Sequence, residues 1–362
     1  MKKIIYSLFA FVLLFANINC KQETGDENVY TIRVADEQGN AVKDAFVVVY
    51  KITNNRWDKV AEATTSEEGK CIVSGAKDLY ATVVAADYEP ERILLSRPAT
   101  DLVLKPKQTL SILSYNILEG LKGGDSGKMK TFRDWMKKYN PDIILFQEMN
   151  KFTDNSLAEF AKSYGHEYSV LLKTTGYPTA ISSKYPIQNI QKVLDGQTHG
   201  FISCKIKDIN IFCCHLSPRL LETRQKEIEQ IVARATSWLL PGSKALIAGD
   251  LNSYNAYDEM AYGPNFKSER KKYNPNTPVD YSVTGLLLDR KFKDSYTLFS
   301  NGMFKATIPV TTDPAFPNKG CRYDYIFLNE LLAPACTYSD ILRENVTDRL
   351  SDHYPVYIRL KM

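Results

Sequence analysis

The stretch Lys244-Ala-Leu-Ile-Ala-Gly-Asp250-Leu-Asn252 begins as an apolar run of strand character and stops in a carboxylate and an amide. Just before it, Ile228, Ile231, Val232, Ala235 and Leu239 recur at helical spacing, so a helix hands over to a buried strand. The same handover occurs earlier in the chain. Met129, Phe132 and Met136 share a helical face, Asn140-Pro141 ends that helix, and Asp142-Ile-Ile-Leu-Phe146 follows as a strand. Apolar strands at Ile112–Tyr115, Ile209–Cys214, Tyr323–Leu328 and Val356–Leu360 complete the set. Several strands with few helices predict an α/β arrangement of layered sheets flanked by helices.

Each of these strands carries polar residues at one end. Ile112-Leu-Ser-Tyr-Asn116, Leu145-Phe-Gln-Glu148, Ile211-Phe-Cys-Cys-His215, Arg322-Tyr-Asp324 and Ser351-Asp352-His353 repeat the form of the opening stretch. Packing alone does not explain six such clusters, because a buried carboxylate is costly unless it is paired, hydrogen-bonded or bound to metal. Strand ends that meet at one sheet edge would let these side chains converge. The candidates are Asn116, Glu148, His215, Asp250, Asn252, Asp324, Asp352 and His353. No Walker loop, nucleophilic cysteine motif or Ser-His-Asp arrangement competes with them.

In order and spacing this set resembles the endonuclease/exonuclease/phosphatase superfamily, which includes pancreatic-type deoxyribonuclease, abasic-site endonucleases, neutral sphingomyelinases and inositol-polyphosphate 5-phosphatases. The resemblance runs from about Leu110 to Met362. It implies a four-layered α/β sandwich, two packed mixed β-sheets flanked by helices. It further implies that Glu148 is the principal carboxylate ligand of Mg2+ (or Mn2+ or Ca2+), with Asn116 completing the shell and Asp352 adding an oxygen. His353 and Asp324 would form the acid/base unit and Asp250 would orient or deprotonate the attacking water. Asn252 and His215 would donate hydrogen bonds to the phosphate.

The implied reaction is hydrolysis of a phosphodiester or phosphomonoester by in-line attack of water. The substrate stays open among nucleic acid, a phospholipid headgroup and an inositol phosphate, with a nuclease and a sphingomyelinase or phospholipase C-like enzyme close together. A histidine at 215 is typical of the deoxyribonuclease, sphingomyelinase and inositol-phosphatase branches rather than of abasic-site endonucleases. Near Thr175–Lys184 the chain departs from its relatives, with Pro178 and Thr179 where many have a glycine-asparagine pair. His166 and His199 match no motif and are expected to be surface or structural residues. Tyr254 to Tyr281, with Tyr257, Tyr262, Tyr273 and Arg270-Lys-Lys272, is either a loop that stacks on bases or a lipid headgroup, or a solvated insertion. The alternative from a different class is a surface binding protein that has lost its chemistry. Such a protein should lack an essential position, and none is lacking.

Upstream the pattern changes. Tyr30–Val34, Ala45–Tyr50, Cys71–Val73 and Ala81–Ala85 read as short strands, with turns at Glu37-Gln-Gly39-Asn40 and Glu67-Glu68-Gly69. This predicts a small all-β sandwich over residues 29–105, similar to the carboxypeptidase-regulatory-like domains of exported proteins, with a spacer or adhesion role. Ser96–Gln108, containing Pro98 and Pro106, is the expected linker to a unit spanning 109–362. Residues 1–19 place Lys2 and Lys3 before an apolar run that ends at Cys20, the form of a bacterial lipoprotein signal. The expectation is an exported, monomeric protein anchored to the membrane through a lipidated Cys20, with plain secretion as the alternative.

The whole chain of 362 residues is 44% hydrophobic and 24% charged, ordinary for a soluble globular protein. Its formal net charge of +4 falls by two when Lys2 and Lys3 are removed with the signal. No strongly basic surface therefore demands nucleic acid, and none is excluded. Cys71, Cys204, Cys213, Cys214, Cys321 and Cys336 show no disulfide framework or short metal spacing. They are expected to be small buried residues, with Cys213 and Cys214 facing opposite sides of one strand.

Overall fold

In the computed structural model, residues 28–237, 239–262, 279–308 and 320–362 are described. The signal with Cys20, and Arg270, Lys271, Lys272 and Tyr273 of the aromatic segment, lie outside them. Seven strands come first: β1 (Asn28–Asp36), β2 (Phe46–Thr53), β3 (Arg56–Thr64), β4 (Lys70–Gly75), β5 (Leu79–Val84), β6 (Glu91–Leu95) and β7 (Ala99–Leu104). They form one sheet in the order β4-β1-β7 and another in the order β3-β2-β5-β6. Ile32, Val34, Val47, Val49, Ala81 and Val83 alternate inward along β1, β2 and β5 and fill the space between the sheets.

The expected linker is shorter than the sequence suggested. Ala99–Leu104 pairs in parallel with β1, Val34 opposite Leu102, and so closes that sheet. Its side chains are mostly exposed or half-buried, which gives it little apolar signal, and Pro98 sits beside it with its carbonyl accepting from Thr31 N at 2.7 Å.

Among the described residues twelve strands follow: β8 (Thr109–Asn116), β9 (Ile143–Gln147), β10 (Tyr168–Leu171), β11 (Ala180–Ser183), β12 (Ile187–Val193), β13 (Phe201–Ile206), β14 (Ile209–His215), β15 (Lys244–Asp250), β16 (Lys293–Asp294), β17 (Asp324–Leu328), β18 (Cys336–Ile341) and β19 (Val356–Lys361). They build two mixed six-stranded sheets, β10-β11-β9-β8-β19-β18 and β12-β13-β14-β15-β17-β16. Ile112, Ile143 and Ile358 of the first sheet pack against Ile211, Leu246 and Ile326 of the second. Helices α1 (Ser126–Tyr139) and α2 (Asp154–Lys162) cover the outer face of the first sheet through Phe132, Trp135, Met136, Leu157 and Phe160. Helices α3 (Leu221–Thr236) and α4 (Ser282–Asp289) cover the second through Ile228, Ile231, Val232 and Leu287.

The result is the four-layered α/β sandwich expected. The described cysteines are free, five of the six buried; Cys213 joins the core between the sheets and Cys214 the core under α3.

The two regions are joined by more than the chain. Asp340 on β18 receives Arg92 from β6 at 2.7 Å and Lys305 at 2.6 Å, and the Lys305 ammonium lies 3.9 Å from the Tyr50 ring centroid. Lys59 of β3 pairs with Asp348 at 2.8 Å, and Trp57 N donates to the Phe304 carbonyl.

Candidate active site

Parallel pairing of β14 with β15, and antiparallel pairing of β15 with β17, sets His215 opposite Asp250 and Asp250 opposite Asp324. Three polar residues thus stand in a row across one sheet edge. On the facing sheet, β8 and β9 run in parallel with Asn116 opposite Gln147, which leaves Glu148 one residue beyond. The close approach of β14 to β15 requires glycine at 249: a Cβ there would lie 1.8 Å from the Cys214 carbonyl oxygen, and φ is +144°.

Asp250 is the hub. Its Oδ2 accepts from Asn116 Nδ2 at 3.2 Å and lies 3.5 Å from His215 Nε2 and 3.9 Å from His353 Nε2. Asn116 Nδ2 also donates to Glu148 Oε1 at 3.2 Å, so one amide bridges two carboxylates from different sheets. Glu148 Oε2 accepts from Glu119 N at 2.9 Å. Burial raises the Glu148 pKa even though that amide and Asn116 pull it down.

His353 Nδ1 is 2.8 Å from Asp324 Oδ2, and both side chains are buried. Burial disfavours the imidazolium, but Asp324, then Asp250 and Asp352, outweigh it, so the His353 pKa is raised. Thr307 ties this pair together: its hydroxyl oxygen accepts from Tyr323 N at 2.9 Å and from Asp324 N at 3.2 Å, and its carbonyl accepts from Tyr354 N at 2.8 Å.

Two site residues hold left-handed backbone, Glu148 at φ +60° and Asn252 at φ +49°. For residues with a Cβ this conformation is strained, and it persists where surrounding structure fixes it. Here Met149 N donates to the Pro178 carbonyl at 2.9 Å, so the Thr175–Lys184 stretch buttresses the Glu148 turn. Asn252 N donates to Asp250 Oδ1 at 2.8 Å, and Asn252 Nδ2 donates to the Leu216 carbonyl at 2.9 Å, fastening the His215 segment.

Seven of the eight sequence candidates converge in this way. The eighth, Asp352, is exposed at the rim, within electrostatic reach of His353. Asp250, Asp324 and His353 bring ligand atoms within 4.8 Å of one another. With Glu148 added, three carboxylates of two sheets face one imidazolium. All are hard oxygen donors and their negative charge is in excess, the chemistry a small divalent cation neutralises.

Two expectations need correction. His199 is buried and its ring stacks on His215, centroids 4.4 Å apart, so it belongs to the site that the motifs missed. Hairpin register could have found it, since Phe201 opposite Cys214 brings the residues just before β13 alongside His215. His166 is structural as expected, its Nδ1 and Nε2 each 2.8 Å from Ser182 Oγ and the Pro141 carbonyl. Tyr254 does not offer a stacking face. It is buried with Cys321 and Tyr323, and its hydroxyl accepts from the Tyr323 hydroxyl at 2.8 Å.

Residues 113–353 match the Endonuclease/Exonuclease/phosphatase family. Among solved structures the chain is similar to an AP endonuclease from Archaeoglobus fulgidus, with a TM-score of 0.54 and 17% identity over 70% of this chain and 100% of that one. At that identity the likeness is one of fold. No curated protein matches the chain by sequence.

Proposed function

This chain belongs to the endonuclease/exonuclease/phosphatase family, and from that membership we propose that it is a divalent-metal-dependent hydrolase of phosphodiesters. The observation that carries this reading is the meeting of Glu148, Asp250 and Asp324 with His353 at adjoining strand ends, Asn116 bridging two of the carboxylates. Glu148 would hold the cation, with Asn116 and Asp352 beside it. Once bound, the cation offsets charge that develops on the phosphoryl and leaving oxygens.

Roles for the other side chains follow from their surroundings. Asp250, central and carboxylate, orients the attacking water and takes its proton. His353, its Nδ1 held by Asp324 behind it, forms the acid/base unit with that aspartate and donates to the phosphoryl group. His215 donates from Nε2, and Asn252 holds its segment in place.

Protein lacking residues 1–20 should cleave at least one of DNA, RNA, sphingomyelin or inositol phosphates with Mg2+ and none with chelator. A nuclease and a sphingomyelinase or phospholipase C-like enzyme are the two forms this panel separates. If nothing is cleaved, and His353→Ala changes nothing on a broader phosphoester panel, the enzymatic reading is wrong. A binding protein that had lost its chemistry would lack an essential position, whereas all eight are present. Export and lipid attachment at Cys20 are part of the same proposal; mass spectrometry finding an intact, unmodified amino terminus in membranes would contradict them.

A further inference from the structure

Two buried histidines in this protein are treated in opposite ways. His166 has both ring nitrogens satisfied: Nε2 donates to the Pro141 carbonyl, so Nδ1 accepts from the Ser182 hydroxyl. His199 is 8% exposed, yet its Nε2 is buried with no hydrogen-bond partner among the described residues. Buried polar nitrogens are normally paired, and an orphan calls for a partner that arrives later.

The chain goes to some length to put His199 there. Glu227, fully buried on α3, accepts from Thr198 N at 2.6 Å through one oxygen and from Ser217 N at 2.7 Å through the other. One carboxylate thereby fixes the segments that carry His199 and His215. Gly200 has φ +90°, and a Cβ there would meet the Val193 carbonyl oxygen at 2.8 Å, so glycine lets the chain turn His199 inward. The ring then lies at 27° to His215, with Tyr177 edge-on at 5.5 Å.

We propose that His199 is a further phosphoryl-binding residue, whose Nε2–H donates to a nonbridging oxygen of the same phosphoryl group that His215 contacts. This rests on the phosphoesterase reading above. With ring centroids 4.4 Å apart, the two imidazoles are near enough to serve different oxygens of one phosphoryl group, each over about 2.9 Å. Burial, then His215 and Lys173, lower the His199 pKa to about 3. The ring is thus a neutral donor at physiological pH and does not add charge beside His215.

The test compares His199→Phe, which keeps a ring on His215 but loses the donor, with His199→Gln, which keeps a donor at similar reach. On bis(4-nitrophenyl) phosphate the Phe variant should lose about 10- to 100-fold in kcat/KM with its Tm unchanged or raised, and Gln should recover most of that loss. A Phe variant within threefold of wild type overturns the proposal, as does a Gln variant impaired as severely as Phe. Independently of turnover, inorganic phosphate titrated into the full-length wild-type protein should shift the imidazole 15N resonances of His199 and His215 with one midpoint. No shift at His199 at saturating phosphate also overturns it. Failure of the wild type to cleave any phosphoester would instead sink the functional reading, and the titration would still decide the role of His199.

Discussion

Where the amino-terminal sandwich meets the larger unit, one carboxylate serves two cations: Asp340 holds Lys305 at 2.6 Å and Arg92 at 2.7 Å. At the strand ends of the candidate active site the ratio is reversed. Glu148, Asp250 and Asp324 gather around His353, with Asp352 at the rim. In the first cluster each cation has the shared carboxylate as its partner, and what it provides is cohesion between two folded regions. The second holds more negative charge than cohesion needs, and that excess is what a cation and a phosphoester would use.

Breaking the second cluster should leave the fold intact and remove the chemistry. Asp250→Asn and His353→Ala are each expected to lower phosphodiester turnover by about 100- to 10,000-fold; Tm should be unchanged or raised in Asp250→Asn, which relieves excess negative charge, and lowered in His353→Ala, which leaves the buried Asp324 without its partner. Turnover and thermal unfolding on the same preparations check this. Breaking the first cluster should do the reverse. Asp340→Ala strands the fully buried Lys305 and is expected to cost about 3–5 kcal/mol in denaturant unfolding, while activity per folded molecule is retained. Burial already lowers the Lys305 pKa to about 8 despite Asp340, so without that partner the lysine should lose its proton at neutral pH.

His166, outside both clusters, sharpens the contrast because it is buried neutral. Burial lowers its pKa to about 4, against the 6.5 of an unperturbed histidine. The unfolded chain therefore binds the proton first as pH falls. Stability should be complete above pH 6.5 and decline toward pH 4 by up to about 3 kcal/mol from this residue. Unfolding titrations at intervals across that window, with His166→Asn as the flattened control, test the slope. The smallest effect expected is cation binding itself: Mg2+ at tens of times its Kd should stabilise the wild type by about 2 kcal/mol and leave Glu148→Gln unmoved.

Much of this was readable in the sequence, for physical reasons. Strands buried on both faces, such as Ile209–His215 and Lys244–Asp250, must be continuously apolar, so polar residues at their ends stand out. What escaped reading depended on pairing between distant segments. β7 has alternating half-exposed side chains and owes its existence to parallel pairing with β1. His199 lies two residues before β13 and becomes a site residue through the β13–β14 register. Lys305 reads as an ordinary surface lysine until Asp340 and Arg92 arrive from other strands. Tyr254 promised an exposed aromatic loop, but Tyr323 and Cys321 bury it.

The most direct test of the central claim is the hydrolysis of bis(4-nitrophenyl) phosphate by chelator-stripped protein as Mg2+ is returned. The arrangement of Glu148, Asp250, Asp324 and His353 predicts almost no turnover before Mg2+ and a saturable recovery that Glu148→Gln abolishes. Full turnover in the presence of chelator, or identical recovery in Glu148→Gln, would contradict it.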